Sequence, residues 1–214
     1  LSSSWNTDLV QQVGKAIGNE VLEYGADVIL GPGVCLQRNP LCGRNFEYYS
    51  ECPLIAGKIG AAYTKGVQST GTVAVMKHFA GNEQETNRAN YGLYVWTTEQ
   101  SLRELYLKPF KLAVKEGGAN GAMSAFNRIG PIWAGGNKAL LTDVLRTEWG
   151  FEGFVITDAG IAGQGDHFNA LQAVEAGNDL MLYFLIDTPG DNTFEKQLKD
   201  YLKEDRAGTL QALR

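Results

Sequence analysis

The stretch Gly153-Phe154-Val155-Ile156-Thr157-Asp158 decides the fold. Four residues that favour a strand, Phe154 to Thr157, follow a glycine and end on a carboxylate. Ahead of them, Asn137 to Trp149 reads as helix, so the local order is helix, short turn, buried strand, acidic side chain. A short apolar run without alternation suits a strand covered on both faces of a parallel sheet. In parallel α/β folds the carboxyl ends of strands carry the chemistry, because the loops there vary while the strands hold them still. Asp158 is therefore a candidate for chemistry, although an Asp after a strand also commonly caps the next loop or helix.

Working outward, the same alternation recurs. Thr7 to Tyr24 carries Leu9, Val10, Val13, Ile17 and Val21 at helical spacing, with Asn6 or Thr7 as N-cap. Asp27 to Leu30 is a short apolar strand ending in Gly31-Pro32-Gly33. Pro53 to Val67 reads as helix with proline in its first turn, and Val73 to Lys77 as a second strand. Thr98 to Glu116 reads as a helix interrupted at Pro109. Gly121 to Phe126 gives a third strand, Phe154 to Thr157 a fourth and Asp179 to Leu182 a fifth, with helices from about Thr193 and Ala207. Apolar strands separated by helices predict a parallel sheet, and a doubly wound sheet of five strands fits this pattern as well as a barrel does.

With 214 residues and 44% apolar content, the chain is long enough for one domain with a sizeable core. Lys and Arg number 19 against 24 Asp and Glu, a net charge of −5, and no basic cluster suits nucleic acid or anionic lipid. No apolar run approaches the ~18–20 residues of a membrane span. Cys35, Cys42 and Cys52 lack the spacing of a zinc site, and the odd count leaves at least one thiol unpaired within the chain. Cys35–Cys42 is a possible loop staple in an oxidising compartment, and the compartment stays open.

Several further segments share a pattern: Gly31-Pro32-Gly33, Arg38-Asn39-Pro40, GRNFEYYSE at 43–51, KHFAGNEQETNR at 77–88, Leu102-Arg103-Glu104, Met123-Ser124 and Glu148-Trp149-Gly150-Phe151. Each alone is weak, but in this order they resemble glycoside hydrolase family three, the retaining β-glucosidase-like exo-enzymes. The resemblance runs from Trp5 to about Leu182. It implies a (β/α)₈ TIM-type barrel. Since a full barrel takes ~250 residues, residues 1–214 are expected to be its later part, about five β/α units, with N-terminal strands and any second α/β domain absent.

The resemblance also implies roles. Asp158 matches the family's nucleophile, a carboxylate whose pKa nearby cations are expected to keep low. Arg44, Lys77 and His78 match residues that hold the terminal sugar, and Met123 and Phe126 match positions lining the pocket. Ordinary alternatives stand beside each: a loop Arg pairs with Glu47 or Glu51, His78 is a satisfied core histidine, and Met123 is barrel core. Asp166-His167 has the composition of an acid/base dyad, but the family's dyad branch places it in a loop after the Lys-His strand. Glu85 and Arg88 are expected to tie their loop together. His78, Glu83 and Glu85 fit no standard metal-ligand spacing, and the resembled chemistry needs no cofactor.

The expected activity is release of terminal β-D-glucosyl residues from a β-linked glycoside through a covalent intermediate. The alternatives are β-xylosidase, β-N-acetylglucosaminidase, or a non-catalytic sugar-binding or scaffold barrel. One departure matters: the residue after the nucleophile is often Trp in this family, and here it is Ala159. The acid/base is expected to be a glutamate from a second domain, so partners would be that domain and the remaining barrel segments.

Overall fold

The computed structural model describes residues 1–88, 93–159, 169–182 and 193–203. Within them, β1 (Val28–Ile29), β2 (Val73–Phe79), β4 (Gly121–Ser124) and β7 (Phe154–Thr157) form a parallel sheet in that order. A smaller sheet joins β3 (Tyr94–Val95), β5 (Arg128–Ile129) and β6 (Ile132–Trp133). The helices are α1 (Thr7–Glu23), α2 (Pro53–Gln68), α3 (Glu99–Ser101), α4 (Lys108–Lys115), α5 (Ala170–Ala176) and α6 (Thr193–Lys203). Two π-helical segments, Leu102–Tyr106 and Ala139–Glu148, complete the helical layer.

Strands in the parallel sheet follow chain order with no reversal, so among the described residues there is no switch point of the kind a doubly wound sheet requires. The architecture is that of a TIM-type barrel, open among the described residues. One face of the sheet packs on helices: Met76, Phe79, Ala122 and Val155 meet Phe110, Leu141, Leu145 and Trp149 in the largest cluster. Phe79 contacts Phe110 and Trp149 edge-on at 5.1 and 5.8 Å between ring centroids. The opposite face gathers Val75, Met123 and Ile156, with Phe154 and Leu182 partly buried against them. Asp158 continues the parity of Phe154 and Ile156 and so belongs to that interior side.

Local sequence explains the joints. Asn6 caps α1 by accepting from the Leu9 amide at 3.0 Å, and Asn137 Oδ1, just ahead of Ala139–Glu148, accepts from the Leu140 amide at 3.1 Å. The α1–α2 crossing relies on glycine: a Cβ at Gly66 would overlap the Gln11 carbonyl, and one at Gly14 the Tyr63 carbonyl. Buried Asn178 locks β4 to the layer above it, accepting from Ser124 Oγ at 3.0 Å and donating to the Gly135 and Ala173 carbonyls.

Three expectations change. Asp179 to Leu182 is not a ladder strand but a single bridge, Ile156↔Leu180. There the Thr157 amide donates to the Leu180 carbonyl and the Asp179 amide to the Val155 carbonyl. Side chains add to this short pairing: the Asp179 carboxylate accepts from the Val155 amide and Thr157 Oγ1 from the Leu182 amide. The interruption in Thr98 to Glu116 falls at Leu107 rather than Pro109. Pro109 lies in the first turn of α4, where its missing N–H removes no bond. The third strand stops at Ser124, before Phe126. Asp166, His167 and the helix expected from Ala207 lie outside the described residues.

Candidate active site

Asp158 stands one residue past β7 and is 7% exposed. Its amide donates to the Ser124 carbonyl at 3.1 Å, which fixes the strand end against β4. The Ala159 amide donates to Oδ1 at 2.8 Å, and Arg88 Nη1 to Oδ2 at 3.0 Å. His78 Nε2 lies 3.8 Å from the same Oδ2. Burial lifts the Asp158 pKa above the ordinary carboxylate value, against the pull of Arg88, the Ala159 amide and Arg44. The expectation of a lowered pKa is therefore reversed: the cations are present, and desolvation outweighs them.

Lys77 and His78 close β2, where the pairing with β4 shifts register between Met76 and Phe79. Both residues face the site region despite adjoining in sequence. His78 is 1% exposed, and burial, then Arg44, Arg88 and Lys77, push its pKa well down, so the ring is neutral. Lys77 Nζ reaches Glu47 Oε2 at 3.3 Å, and Arg44 Nε pairs with Glu47 Oε1. Burial opposes the charge on Glu47, yet Arg44 and Lys77 hold its pKa below the ordinary value. Arg44 and Lys77 thus share one carboxylate at the rim, and Arg44 lies near enough to bias both Asp158 and His78.

The loop after β2 supplies a second layer. Arg88 Nε pairs with Glu85 Oε2 at 2.6 Å, as the loop reading expects, and its guanidinium carbon lies 4.5 Å from the Phe126 ring centroid. Arg88 therefore does more than tie the loop: it bridges Glu85 to Asp158 over an aromatic face. Sequence reasoning missed this contact, which spans 70 residues. Asn82 Nδ2 donates to Glu85 Oε1 at 2.9 Å and to Tyr48 Oη at 3.3 Å. Tyr48 Oη lies 3.3 Å from His78 Nδ1. Glu83 turns away to accept from the Leu36 amide at 3.3 Å, and burial pushes its pKa up to about 7, opposed by the Leu36 and Glu83 amides and by Arg38.

Of the other candidates, Phe126 lies beneath Arg88, whereas Met123 is 2% exposed within the interior cluster of Val75 and Ile156. The three cysteines are free thiols, so no Cys35–Cys42 staple forms. Cys35 Sγ instead lies 3.4 Å from both the amide and the carbonyl of His78. Among the described residues no group of three or more His, Cys, Asp or Glu is placed to hold a metal ion. No described helix is long and apolar enough to cross a membrane.

Residues 1–206 match the family description Glycosyl hydrolase family 3 N terminal domain. The chain belongs to that family. Over 196 residues, 92% of the chain, it is 43% identical to Beta-glucosidase B of Emericella nidulans and covers 22% of that protein. It is 46% identical over 160 residues to an exo-alpha-(1->6)-L-arabinopyranosidase of Bifidobacterium longum, covering 75% of this chain and 21% of that one. Its fold superposes on beta-glucosidase 3B from Thermotoga neapolitana, solved in complex with alpha-D-glucose, with a TM-score of 0.87 and 42% identity. That superposition covers 99% of this chain and 29% of the solved one. The chain thus spans between a fifth and a third of the length of these family 3 relatives.

Proposed function

We propose that this chain is part of the catalytic barrel of a retaining exo-β-glycosidase, a β-glucosidase by its substrate. The observation that carries this reading is Asp158, a buried carboxylate at a strand's carboxyl end, touched by Arg88 and His78 with Arg44 in electrostatic reach. Relatives named as beta-glucosidases at 41–43% identity support the choice of glucose.

In this reading Asp158 attacks the anomeric carbon as the glycosidic C–O bond breaks, and the departing oxygen takes a proton from a general acid. Water then attacks the glycosyl ester, returning Asp158 to its carboxylate. Two features keep an attacking carboxylate ready. The Ala159 amide holds Oδ1, and Arg88 favours the charged form against the burial that raises the pKa. Arg44, Lys77 and His78 bind hydroxyls of the terminal sugar, Arg and Lys as donors flanking Glu47, with Phe126 as an apolar wall and Met123 packed in the interior cluster of Val75 and Ile156.

In this reading the acid/base is a glutamate of a second domain, and none of the described glutamates near Asp158 is free to serve. A retaining mechanism sets the second carboxyl ~5–5.5 Å from the nucleophile with a proton to give. Glu85 is paired with Arg88 and Glu47 with Arg44 and Lys77, while Glu83 faces Leu36. The test is hydrolysis by the complete parent polypeptide of aryl β-glucoside, β-xyloside, β-N-acetylglucosaminide and α-L-arabinopyranoside. The β-glucoside should be preferred, and a fluorinated glucoside should label the peptide bearing Asp158. Absence of turnover on every glycoside, or labelling of another carboxylate, overturns the reading.

A further inference from the structure

The polar groups around Asp158 form a closed circuit. Asp158 Oδ2 meets Arg88 Nη1 at 3.0 Å, and Arg88 Nε meets Glu85 Oε2 at 2.6 Å. Glu85 Oε1 accepts from Asn82 Nδ2 at 2.9 Å, and the same nitrogen reaches Tyr48 Oη at 3.3 Å. Tyr48 Oη lies 3.3 Å from His78 Nδ1, and His78 Nε2 returns to Asp158 Oδ2 at 3.8 Å. Tyr48 and Asn82 are 4% and 0% exposed.

We infer that Tyr48 is a positioning residue: its hydroxyl donates to His78 Nδ1 and holds the imidazole as the Nε2–H tautomer, with that N–H directed toward Asp158. Glu85 sets the first orientation in the circuit. A carboxylate only accepts, so Asn82 must present its NH₂ group there, which fixes the amide's orientation. The second NH₂ hydrogen is aimed at Tyr48 Oη, so that oxygen accepts and its own proton must go elsewhere. Three acceptors lie in reach: His78 Nδ1 at 3.3 Å, the Asn82 carbonyl at 3.4 Å and the Cys35 sulfur, which accepts only weakly.

The other side of the ring decides between them. A neutral imidazole carries one proton. On Nδ1, that proton would leave the Nε2 lone pair facing a buried carboxylate oxygen at 3.8 Å, which is repulsive. On Nε2, it turns the same contact into an attraction, and Nδ1 becomes the acceptor Tyr48 needs. Both ends of the ring therefore select the same tautomer. Burial supports the scheme by holding His78 neutral and Tyr48 protonated.

The consequence for binding rests on the glycosidase reading above. A sugar hydroxyl at His78 meets an N–H donor, as it does at Arg44, Lys77 and Arg88. Its oxygen accepts, and its own proton turns to Asp158 or Glu47, the carboxylates paired with those cations.

The experiment is a long-range ¹H–¹⁵N correlation spectrum of the protein labelled with ¹⁵N-histidine, with His78→Gln identifying the His78 signals. The expected spectrum has a pyridine-like Nδ1 and a pyrrole-like Nε2 for His78. Tyr48→Phe should replace that single pattern with a mixture of tautomers, and Asn82→Ala should do so in part. An Nδ1–H pattern for His78 in the unsubstituted protein overturns the proposal and needs no Tyr48 or Asn82 variant to fold. A pattern unmoved in a folded Tyr48→Phe protein overturns the role of Tyr48. In the complete enzyme, Tyr48→Phe should lower kcat/KM on an aryl β-glucoside about tenfold, the scale of one hydrogen bond. The two readings fail separately: the spectrum needs no turnover, and an active enzyme with the wrong tautomer sinks only this proposal.

Discussion

Glu83→Gln should stabilise the protein, and only at the alkaline end. Glu83 is 8% exposed, accepts from the Leu36 amide at 3.3 Å, and has a pKa raised by burial to about 7 from an ordinary 4.5. A carboxyl whose folded pKa exceeds its unfolded value favours folding below the unfolded value, and that contribution is lost as pH rises through the folded one. The window here is roughly pH 4.5 to 7. Each unit of difference is worth about 1.4 kcal/mol, so ionising Glu83 costs the folded state about 3 kcal/mol at pH 8 and less than about 1 kcal/mol at pH 5. Glutamine keeps an acceptor for Leu36 and carries no charge. Urea unfolding at both pH values should therefore show Glu83→Gln gaining about 2–3 kcal/mol at pH 8 relative to its effect at pH 5. Any constant offset from the new amide cancels in that comparison. An equal effect at both pH values would mean that Glu83 is not a desolvated carboxyl, and the burial reasoning would fail.

Asp158→Asn in the complete enzyme should lower kcat by at least roughly 10³-fold while the thermal melt stays cooperative, and a smaller loss would remove Asp158 as nucleophile. Arg88→Met should cost about 3 kcal/mol at pH 7, because it strands a buried carboxylate. That cost should fall sharply in an Asp158→Asn background, and additive costs in the double-mutant cycle would refute the coupling. Gly66→Ala should destabilise by about 1–3 kcal/mol despite alanine's better helix propensity, since the new methyl group meets the Gln11 backbone. An unchanged melting temperature would show that α1 and α2 can separate freely.

Much of this was legible in the sequence where local chemistry decides. Phe154 to Thr157 reads as a strand because four consecutive apolar or β-branched residues follow Gly153, whose missing Cβ admits the Asn120 backbone. The Lys77–His78 pair ends an apolar run, so two polar groups at a strand's carboxyl end stand out. Other features carry no local signal. The strands of the β3–β5–β6 sheet are two residues each, too short for any periodicity to register. Arg88 and Asp158 meet across 70 residues, and the Arg88 segment shows only loop composition. The sign of the Asp158 shift was missed for a related reason. The family motifs suggest basic residues near Asp158, but the depth at which a carboxylate sits cannot be read from a sequence.

The Asn82 amide links two arms of the site, Tyr48 and His78 on one side, Glu85 and Arg88 on the other, and all but Tyr48 come from the end of β2 and the loop after it. Those arms close only at Asp158, after the outermost strand of the parallel sheet and 80 residues beyond His78 in chain order. Asn82, Tyr48, Glu85 and His78 are joined without β7, but Arg88 and His78 meet Asp158 only once β7 lies on β4. Closing the circuit on Asp158 therefore coincides with the longest loop closure in its wiring. Without β7 on β4 the cluster lacks Asp158, the one group on which both arms converge.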